Sequence, residues 1–463
     1  MFTDFENKPM PRSVAIPPGP KGRFLSGNLR EFQENPLAFL ESIARTYGDV
    51  VSLRLGPVKI WALNHPDLIE QVLVDQNRKF TKHFALRRAK PTLGEGLLTS
   101  EGDFWRRQRK LAQPAFHKDR IASYASIMVD YTERMLATWN SGETRDIQHE
   151  MMKTTLQIVA KCLFDADVEG DAKDVSDAME TITHSFNDRV RSVVRTPIWL
   201  PTRSNVRYLK AKKRIDEVVL RIVAERRKST ENHGDLLSML IQARDDDNGG
   251  MTDRQLRDEA VTLFLAGHET TANTLAWAWL LLSRHPKAEA KLHEELDAVL
   301  GDRPPTIEDL PRLKYTENVV AETLRYYPTV WLLGREAIEP CELGGYLLPR
   351  GHTVWMSQWV VHRDPRFFAE PDRFLPDRWA DDLAKKSPRY AYFPFGGGPR
   401  ICIGDSFAKM EAVLMLATIA RKFRLKLVPG ATVAMLPSIT LRADGGIPMT
   451  IHQHEYAGQK SIA

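Results

Sequence analysis

Short runs in which apolar and polar residues alternate occur at several places along the chain. The runs at 51–55 and 58–62 flank Gly56-Pro57, and alternation on both sides of a turn signal predicts a β-hairpin. A similar pair of runs brackets Gly344-Gly345 and Pro349-Arg350-Gly351, with Val354 and Met356 alternating after it, and residues 423–427 form another alternating run. The pattern therefore predicts small antiparallel β-sheets.

Between residues 120 and 325 the apolar positions follow the period of an α-helix. The clearest helix opens at Thr252, where Gln255 completes a capping box, and it stops before Pro286. Its length is on the order of 50 Å, and it is apolar on nearly every face from 261 to 282. Because so long an apolar helix must cross the middle of a domain, we expect a mainly α-helical fold.

The chain has 463 residues and contains no Gly/Ser-rich, Pro-rich or strongly charged tract that would serve as a linker. We therefore expect a single domain over residues 1–463. Its first part, residues 1–20, is predicted to be an extended, proline-rich segment, because the prolines at 17–20 cannot lie in a helix interior.

Charge and cysteine usage narrow the class of protein. The net charge is +5, and no lysine- or arginine-rich stretch carries interleaved aromatic residues, so we expect no nucleic-acid partner. The three cysteines, Cys162, Cys341 and Cys402, lack CxxC spacing, which argues against a disulfide framework and a cysteine zinc site. The N-terminus has no secretory signal, and the longest apolar stretch, 275–282, is too short for a membrane span. We expect a cytoplasmic protein.

The segment 393–404 combines three consecutive glycines, a proline and Cys402. A good helix opening follows Gly404, so Cys402 stands just before a helix N-terminus, where the helix dipole and free N–H groups lower a thiol pKa. Gly398 and Gly404 would let a flat cofactor approach the backbone, and Phe395 would cover the sulfur. From these residues alone, a buried structural cysteine and a cysteine ligand remain equally open.

The segment resembles the haem-binding loop of the cytochrome P-450 superfamily, Phe-x-x-Gly-x-Arg-x-Cys-x-Gly, at Phe395, Gly398, Arg400, Cys402 and Gly404. The resemblance, to bacterial, soluble, stand-alone haem domains, implies the cytochrome P-450 fold with its long central helix over the haem. It implies that Cys402 is the proximal thiolate ligand of haem b and that Arg400 reaches a haem propionate. Phe395 and Gly404 would lie against the cofactor.

The long helix carries a polar segment at 266–271 that is similar to the family's Ala-Gly-x-Glu-Thr. A glycine costs about 1 kcal/mol in a helix interior, so a polar spot there is expensive unless it has a use. The resemblance implies that Thr270 hydrogen-bonds bound oxygen and that Glu269 belongs to the proton-delivery path. The alternative is a helix kink with satisfied side chains. His268 points about 100° away from Glu269 and is interpreted as structural.

Two short patterns resemble the family's structural ion network. Glu322 and Arg325 match Glu-x-x-Arg, in which the spacing puts both side chains on one helix face. Arg373 matches the arginine of the later Pro-x-Arg-Phe, which joins that pair in the family. We interpret the three residues as a buried network, in which breaking one partner costs about 3–5 kcal/mol.

Further cationic residues resemble the family's propionate contacts. Trp105 and Arg109 match Trp-x-x-x-Arg on one face of a helix, and Arg335 lies where the family often has another such arginine. The basic residues beside Arg109 are interpreted as a solvated face, with a docking patch for an acidic electron donor as the alternative.

The resemblance implies a haem-thiolate monooxygenase that inserts one oxygen atom from O2 into an apolar substrate, such as a fatty acid or another long-chain or terpenoid compound. Since the chain ends at Ala463 without a flavin or iron–sulfur domain, we expect a separate donor such as ferredoxin with its reductase, or flavodoxin. We also expect a monomer. The alternatives are a peroxide-using or isomerising haem-thiolate enzyme and a non-enzymatic haem sensor. Apolar residues are expected to wall the substrate pocket, namely Phe84, Leu86, Leu263, Ala266, Val330, Trp331, Leu332 and Ile439.

Overall fold

The computed structural model describes residues 15–165, 177–178, 181–182, 185, 197–228, 235–244, 249–380 and 383–454. The first fourteen residues of the expected N-terminal segment lie outside the described part. Contacts divide the chain into two compact units. The first, called here the sheet unit, comprises Met1–Phe84, Leu332–Ala369 and Ala384–Ile401, and the second, the helical unit, comprises Ala85–Trp331, Glu370–Leu383 and Cys402–Ala463. The expectation of a single domain stays a prediction.

Helices dominate the described part of the chain. The α-helices are α1 (Leu29–Glu34), α2 (Pro36–Tyr47), α3 (Pro66–Glu70), α4 (Phe84–Arg88), α5 (Lys90–Leu93), α6 (Gly102–Ala112), α7 (Lys118–Ser123), α8 (Ala125–Leu136), α9 (Ile147–Phe164), α10 (Arg203–Lys228), α11 (Leu236–Gln242), α12 (Asp253–Arg284), α13 (Pro286–Val299), α14 (Lys314–Tyr326), α15 (Gln358–Val361), α16 (Leu383–Lys386) and α17 (Asp405–Lys422). The strands are β1 (Val50–Leu55), β2 (Val58–Leu63), β3 (Phe80–Lys82), β4 (Thr144–Asp146), β5 (Leu333–Ala337), β6 (Cys341–Leu343), β7 (Tyr346–Leu348), β8 (Thr353–Met356), β9 (Phe423–Leu427), β10 (Ala434–Pro437), β11 (Leu441–Asp444) and β12 (Pro448–Gln453).

The sheet unit is built on a five-stranded sheet in the order β1-β2-β8-β5-β3. The predicted hairpin is confirmed, since β1 and β2 pair antiparallel from Val50 opposite Leu63 to Leu55 opposite Val58. One pair, β2 with β8, is parallel. An apolar core lies against this sheet and includes Leu73, Tyr390 and Phe393, so the segment that leads to the cysteine loop is anchored in the core of the unit.

The second predicted pair of runs contains the β6–β7 hairpin, whereas Val354 and Met356 lie on β8, which pairs with β5 and β2. The hairpin turns at Gly344 and Gly345. Both residues have positive φ, 57° and 80°. A two-residue hairpin turn of this kind requires positive φ at both central positions, which glycine adopts without strain. The local pattern of turn residues was therefore sufficient to place this hairpin.

The helical unit contains α12, the long helix predicted from the sequence. Its N-cap Thr252 forms the predicted capping box with Gln255, and it runs without interruption to Arg284. Gly267 lies where α9 packs against it, because a Cβ there would approach Val159 at 3.1 Å. The glycine thus serves close helix packing. The Thr155 hydroxyl of α9 donates to the His268 carbonyl at 3.1 Å.

Two small antiparallel sheets complete the helical unit. One has the order β4-β12-β9 and contains the predicted strand at 423–427, and the other is the β10–β11 hairpin. Within the described residues, no helix combines the length and the apolar character needed to cross a membrane.

Candidate active site

Cys402 lies immediately before α17, whose N-cap is Gly404. It is exposed, whereas Cys162 and Cys341 are buried. Surrounding protein desolvates the thiol and raises its pKa. The Gly404 N–H lowers this pKa, Asp405 raises it, and Arg109 and Lys409 lower it. The predicted position before a helix is therefore found. The Gly404 N–H lowers the thiol pKa as expected, and in the protein alone desolvation raises this pKa by more.

The glycines before Cys402 belong to the sheet unit and are required by its packing. Gly398 has φ +63°, and a Cβ there would lie 1.8 Å from the Leu73 carbonyl oxygen. A Cβ at Gly397 would lie 2.2 Å from the ring of Tyr390, whose hydroxyl accepts the Gly398 N–H at 3.2 Å. The expectation that Gly398 leaves room for a cofactor is therefore wrong on that side, because the Leu73 backbone fills the space. At Gly404, a Cβ would make only ordinary contact with Phe116.

Two predicted cofactor contacts lie one turn apart on α6. Trp105 is buried and Arg109 is half-buried. Desolvation lowers the pKa of Arg109, and the nearby Cys402 and Asp405 raise it. Within the helical unit, Arg109 therefore lies close enough to Cys402 for their charges to interact. In the sheet unit, Arg335 is buried on β5 and donates to the Gly334 carbonyl at 2.9 Å.

The remaining predicted cofactor residues lie in the loop of the sheet unit. Arg400 ends a short 3-10 turn that begins at Gly398, and its side chain is half-buried. Phe395 is also half-buried. Both residues are thus partly accessible to solvent.

The solvent exposure of α12 changes near the middle of the helix. From Leu256 to Leu282 the helix is buried except at Leu265–Gly267 and Thr270. Ala266 and Thr270 are one turn apart, so they form one accessible face on an otherwise buried helix. The Thr270 hydroxyl donates to the Ala266 carbonyl at 2.9 Å. The polar segment therefore coincides with the place where the helix can meet a ligand.

Glu269 points away from this face. It is 4% exposed, and its Oε1 accepts a hydrogen bond from the Thr440 hydroxyl at 2.5 Å. Thr440 in turn accepts a hydrogen bond from Asn273 Nδ2 at 3.2 Å. Burial raises the pKa of Glu269, while Thr440 and Arg442 lower it. Sequence reasoning missed Thr440 and Asn273; a buried asparagine in an apolar helix was the available signal.

His268 is fully buried, and burial lowers its pKa to about 4. The ring is therefore neutral near neutral pH. The His268 backbone carbonyl accepts the Thr155 hydroxyl of α9, and the structural interpretation of the ring stays a prediction.

The buried ion network centres on Glu322, which is fully buried and takes two 2.9 Å hydrogen bonds from Arg325. Its other donors are Arg378 at 3.0 Å, the Leu375 N–H at 2.8 Å and the Trp379 indole at 2.9 Å. The prediction for Arg373 is wrong. Its exposed side chain pairs with Glu370, and only its carbonyl joins the network, at 3.0 Å from Arg325 Nη2.

The predicted pocket walls are distributed over both units. In the helical unit, Trp331 donates from its indole to the Ser438 carbonyl at 2.9 Å, so this segment is adjacent to the turn that carries Ile439. Ile439 is 37% exposed and Ala266 is exposed, whereas Leu263 is buried. Leu86 and Val330 are half-buried, as are Phe84 and Leu332 of the sheet unit.

Phe84 also lines a groove of about 350 Å³ in the sheet unit. The lining of the groove is mixed, with Lys59, Arg350 and His352 beside Pro57 and Val58. It is thus unlike the apolar pocket predicted around Phe84.

The chain belongs to the cytochrome P450 family, whose model matches residues 17–444. It is 42% identical over 433 residues to cyclooctatin synthase of Streptomyces melanosporofaciens, covering 92% of this chain and 93% of that protein. It is 38% identical over 410 residues to cyclooctat-9-en-7-ol 5-monooxygenase of the same organism, covering 88% and 89%. A crystal structure of the cytochrome P450DA heme domain matches with a TM-score of 0.88 and 26% identity, covering 96% of this chain and 99% of that one.

These similarities confirm the predicted fold and enzyme class. The chain is a haem monooxygenase, whose reaction uses an organic substrate, O2 and a redox partner.

The residues around Cys402 fit a haem group. Among the described residues, no three His, Cys, Asp or Glu side chains are grouped so that they could hold a metal ion. Cys402 would hold the iron of a haem, whose porphyrin would supply the other ligands. The exposed thiol and the neighbouring Arg109 match an iron ligand and a cationic contact for an acidic cofactor.

Proposed function

We propose that the chain binds haem b through the Cys402 thiolate and oxidises an apolar terpenoid substrate with electrons from a separate protein. The observation that carries the proposal is the exposed Cys402 at the start of α17. Because the thiol is exposed, its sulfur can bind iron in place of its present contacts with solvent and protein. Binding to iron removes the thiol proton, so the raised pKa of the free thiol affects the pH dependence of loading rather than the identity of the ligand.

Three arginines and a tryptophan predicted from the sequence are proposed to hold the haem propionates. Arg109 and Trp105 would do so from α6, Arg400 from the cysteine loop and Arg335 from β5. Each would donate a hydrogen bond to an anionic carboxylate, which is roughly twice as strong as a bond between neutral groups. Phe395 and Gly404 would contact the ring.

Haem, when bound, supplies the redox chemistry that activates O2. The protein would contribute proton handling. Thr270 presents a hydroxyl on the accessible face of α12, and we propose that it relays a proton. Glu269 would deliver that proton, since burial raises the pKa of its carboxyl group toward the operating range of an acid catalyst.

The substrate is proposed to be a cyclic terpenoid hydrocarbon or alcohol. Two observations support this class. The relatives' names include cyclooctat-9-en-7-ol, an unsaturated alcohol, as the compound oxidised. The accessible residues proposed as walls, Ala266 and Ile439, are apolar, and apolar walls favour a ligand with few polar groups.

The electron donor is proposed to be a ferredoxin with its reductase, or a flavodoxin. Arg106 and Lys110 are exposed on α6, the helix that also carries Arg109. An exposed basic helix would attract an acidic donor and raise the rate of encounter at low ionic strength.

The proposal is tested by Cys402→His, with Cys162→Ala as the matched control at a buried cysteine. Cys402→His should retain haem and far-UV circular dichroism but lose the red-shifted band of the reduced CO complex, because imidazole replaces thiolate. Cys162→Ala should keep the band. Survival of the band in Cys402→His, or in Cys402→Ser should the histidine variant fail to load, would overturn the ligand assignment. Adding terpenoid alcohols and fatty acids to the wild-type protein and recording the haem spin-state shift tests the substrate class.

A further inference from the structure

We propose that Thr440 is a positioning residue for Glu269, holding the proton-delivering carboxyl group from the turn between β10 and β11. The inference rests on the proposed role of Glu269. It adds a residue 171 positions away in the sequence, on a different element.

The hydrogen bonds around Thr440 determine that its hydroxyl is the donor to Glu269. An amide nitrogen can only donate, so Asn273 Nδ2 occupies an acceptor site of the Thr440 hydroxyl. The single hydroxyl proton is then directed to Glu269 Oε1, at 2.5 Å. Thr440 is 4% exposed and Asn273 is 1% exposed, so water does not compete strongly for either group. The hydroxyl therefore acts as a fixed donor to the carboxylate.

The turn that carries Thr440 is itself held in place. The Leu441 N–H donates to the Thr329 carbonyl at 2.8 Å, and the Trp277 indole donates to the Leu441 carbonyl at 3.0 Å. The Ser438 N–H donates to the Thr440 carbonyl at 3.1 Å. These contacts fix the backbone on both sides of Thr440, and a fixed backbone lets one hydroxyl orient a carboxyl group.

Thr440 and Ile439 are adjacent but differ in exposure. Ile439 is 37% exposed, whereas the Thr440 side chain is buried against α12. The same turn thus presents an apolar side chain proposed to contact substrate and a hydroxyl that contacts the acid. The residue proposed to position the acid and the residue proposed to line the pocket therefore lie on the same turn between β10 and β11.

The groups around Glu269 indicate whether loss of the Thr440 hydroxyl raises or lowers the pKa of the Glu269 carboxyl group. Within the described residues, Arg442 of β11 is the charged group that acts on Glu269, and it stabilises the carboxylate. Thr440 does the same by donating a hydrogen bond, while burial opposes both. Loss of the hydroxyl should therefore raise the pKa of Glu269.

The test compares Thr440→Val, which removes the hydroxyl at nearly constant volume, with Thr440→Ser, which keeps it. The carboxyl band of Glu269 is identified in infrared spectra as the band lost in Glu269→Gln and is then titrated in the haem-loaded protein. Thr440→Val should raise the midpoint by about one pH unit, and Thr440→Ser should leave it near the wild-type value. Thr155→Val is the matched control, because it removes another buried hydroxyl that contacts α12 but does not touch Glu269.

A second readout is hydrogen peroxide released per NADPH oxidised, measured with a surrogate ferredoxin system and cyclooctat-9-en-7-ol as the probe. The pH at which peroxide release changes should be higher in Thr440→Val than in the wild type, and it should be unchanged in Thr440→Ser. An unchanged infrared midpoint in Thr440→Val overturns the inference. If Thr440→Val fails to fold, Asn273→Ala should give a smaller shift of the same sign, because it frees the hydroxyl to rotate, and no shift there overturns the inference.

The proposed function can fail separately. If Glu269→Gln and Thr270→Ala both release peroxide as the wild type does, the proton-delivery role is wrong, whatever the infrared titration shows. If these two variants uncouple the reaction while Thr440→Val titrates normally, only the role of Thr440 is wrong.

Discussion

At the scale of single residues, Glu322 shows how a buried carboxylate selects its partners. It is fully buried and accepts hydrogen bonds from Arg325, Arg378, the Leu375 backbone and Trp379. A buried charge is tolerated only when its lone pairs are satisfied, so each donor contributes to stability. Arg373, by contrast, is exposed and pairs with Glu370.

We predict that Arg378→Ala lowers the free energy of unfolding by about 2 kcal/mol, the range of a hydrogen bond to a charged group. The loss is smaller than the roughly 3–5 kcal/mol for an uncompensated buried charge, because Arg325 still pairs with Glu322. Arg373→Ala should change it by less than about 0.5 kcal/mol, because an exposed ion pair contributes little. Urea titration of the two purified variants measures both values. Equal losses in the two variants would contradict the assignment of Arg378 to the network.

At the scale of elements, the N-terminal half of α12 binds the backbone of the segment after α5. Asp258 accepts the Glu95 N–H at 2.8 Å, and Glu259 accepts the Leu97 N–H at 3.0 Å. Gly94 has φ +67°, and a Cβ there would lie 2.1 Å from the Asp258 carboxylate. A side chain at position 94 would therefore displace the Asp258 carboxylate that binds this segment.

Gly94→Ala should cost about 3 kcal/mol of unfolding free energy or more, since it adds a clash to a strained backbone conformation. Gly102→Ala is the control, because Gly102 has φ +61° with no atom within 4 Å of the Cβ position, and it should cost only about 1 kcal/mol. Thermal unfolding of both variants provides the comparison. A similar loss in both would mean that the contact with Asp258 relaxes freely.

At the scale of the whole molecule, Glu411 links the core helices of the helical unit. It is fully buried on α17, close to Thr271 of α12, and lies near Cys162 of α9. Burial raises its pKa from the ordinary 4.5 to about 8. The folded state therefore holds a proton that the unfolded state has lost throughout this interval, and stability must fall as pH rises across it.

We predict that Glu411→Gln removes part of this pH dependence, because an amide has no proton to lose. Between about pH 5 and about pH 8 the wild-type protein should lose more unfolding free energy than the variant, by on the order of a few kcal/mol. Urea titrations across the range measure the two slopes, with the exposed Glu294→Gln of α13 as a control that should follow the wild type. Equal slopes for Glu411→Gln and wild type would show that Glu411 is ionised in the folded protein.

Much of the local structure could be predicted. The β1–β2 and β6–β7 hairpins, the capping box of α12 and the position of Cys402 before α17 all agree with expectation. Each depends on residues within a few positions of one another, so turn chemistry, capping and apolar period suffice to specify it. The family resemblance also identified the class of enzyme, since its motifs lie in short continuous segments.

The sequence by itself thus determined the long helix α12, the β1–β2 hairpin and the position of Cys402 before α17. Only the tertiary structure decided that Arg378 rather than Arg373 meets Glu322, that the Leu73 backbone fills the space beside Gly398, and that Thr440 holds Glu269. The two hydrogen-bonded pairs, Arg378 with Glu322 and Thr440 with Glu269, are separated by 56 and 171 residues in the sequence. The direction of a side chain and the approach of distant backbone depend on how elements pack, and local periodicity carries no information about either.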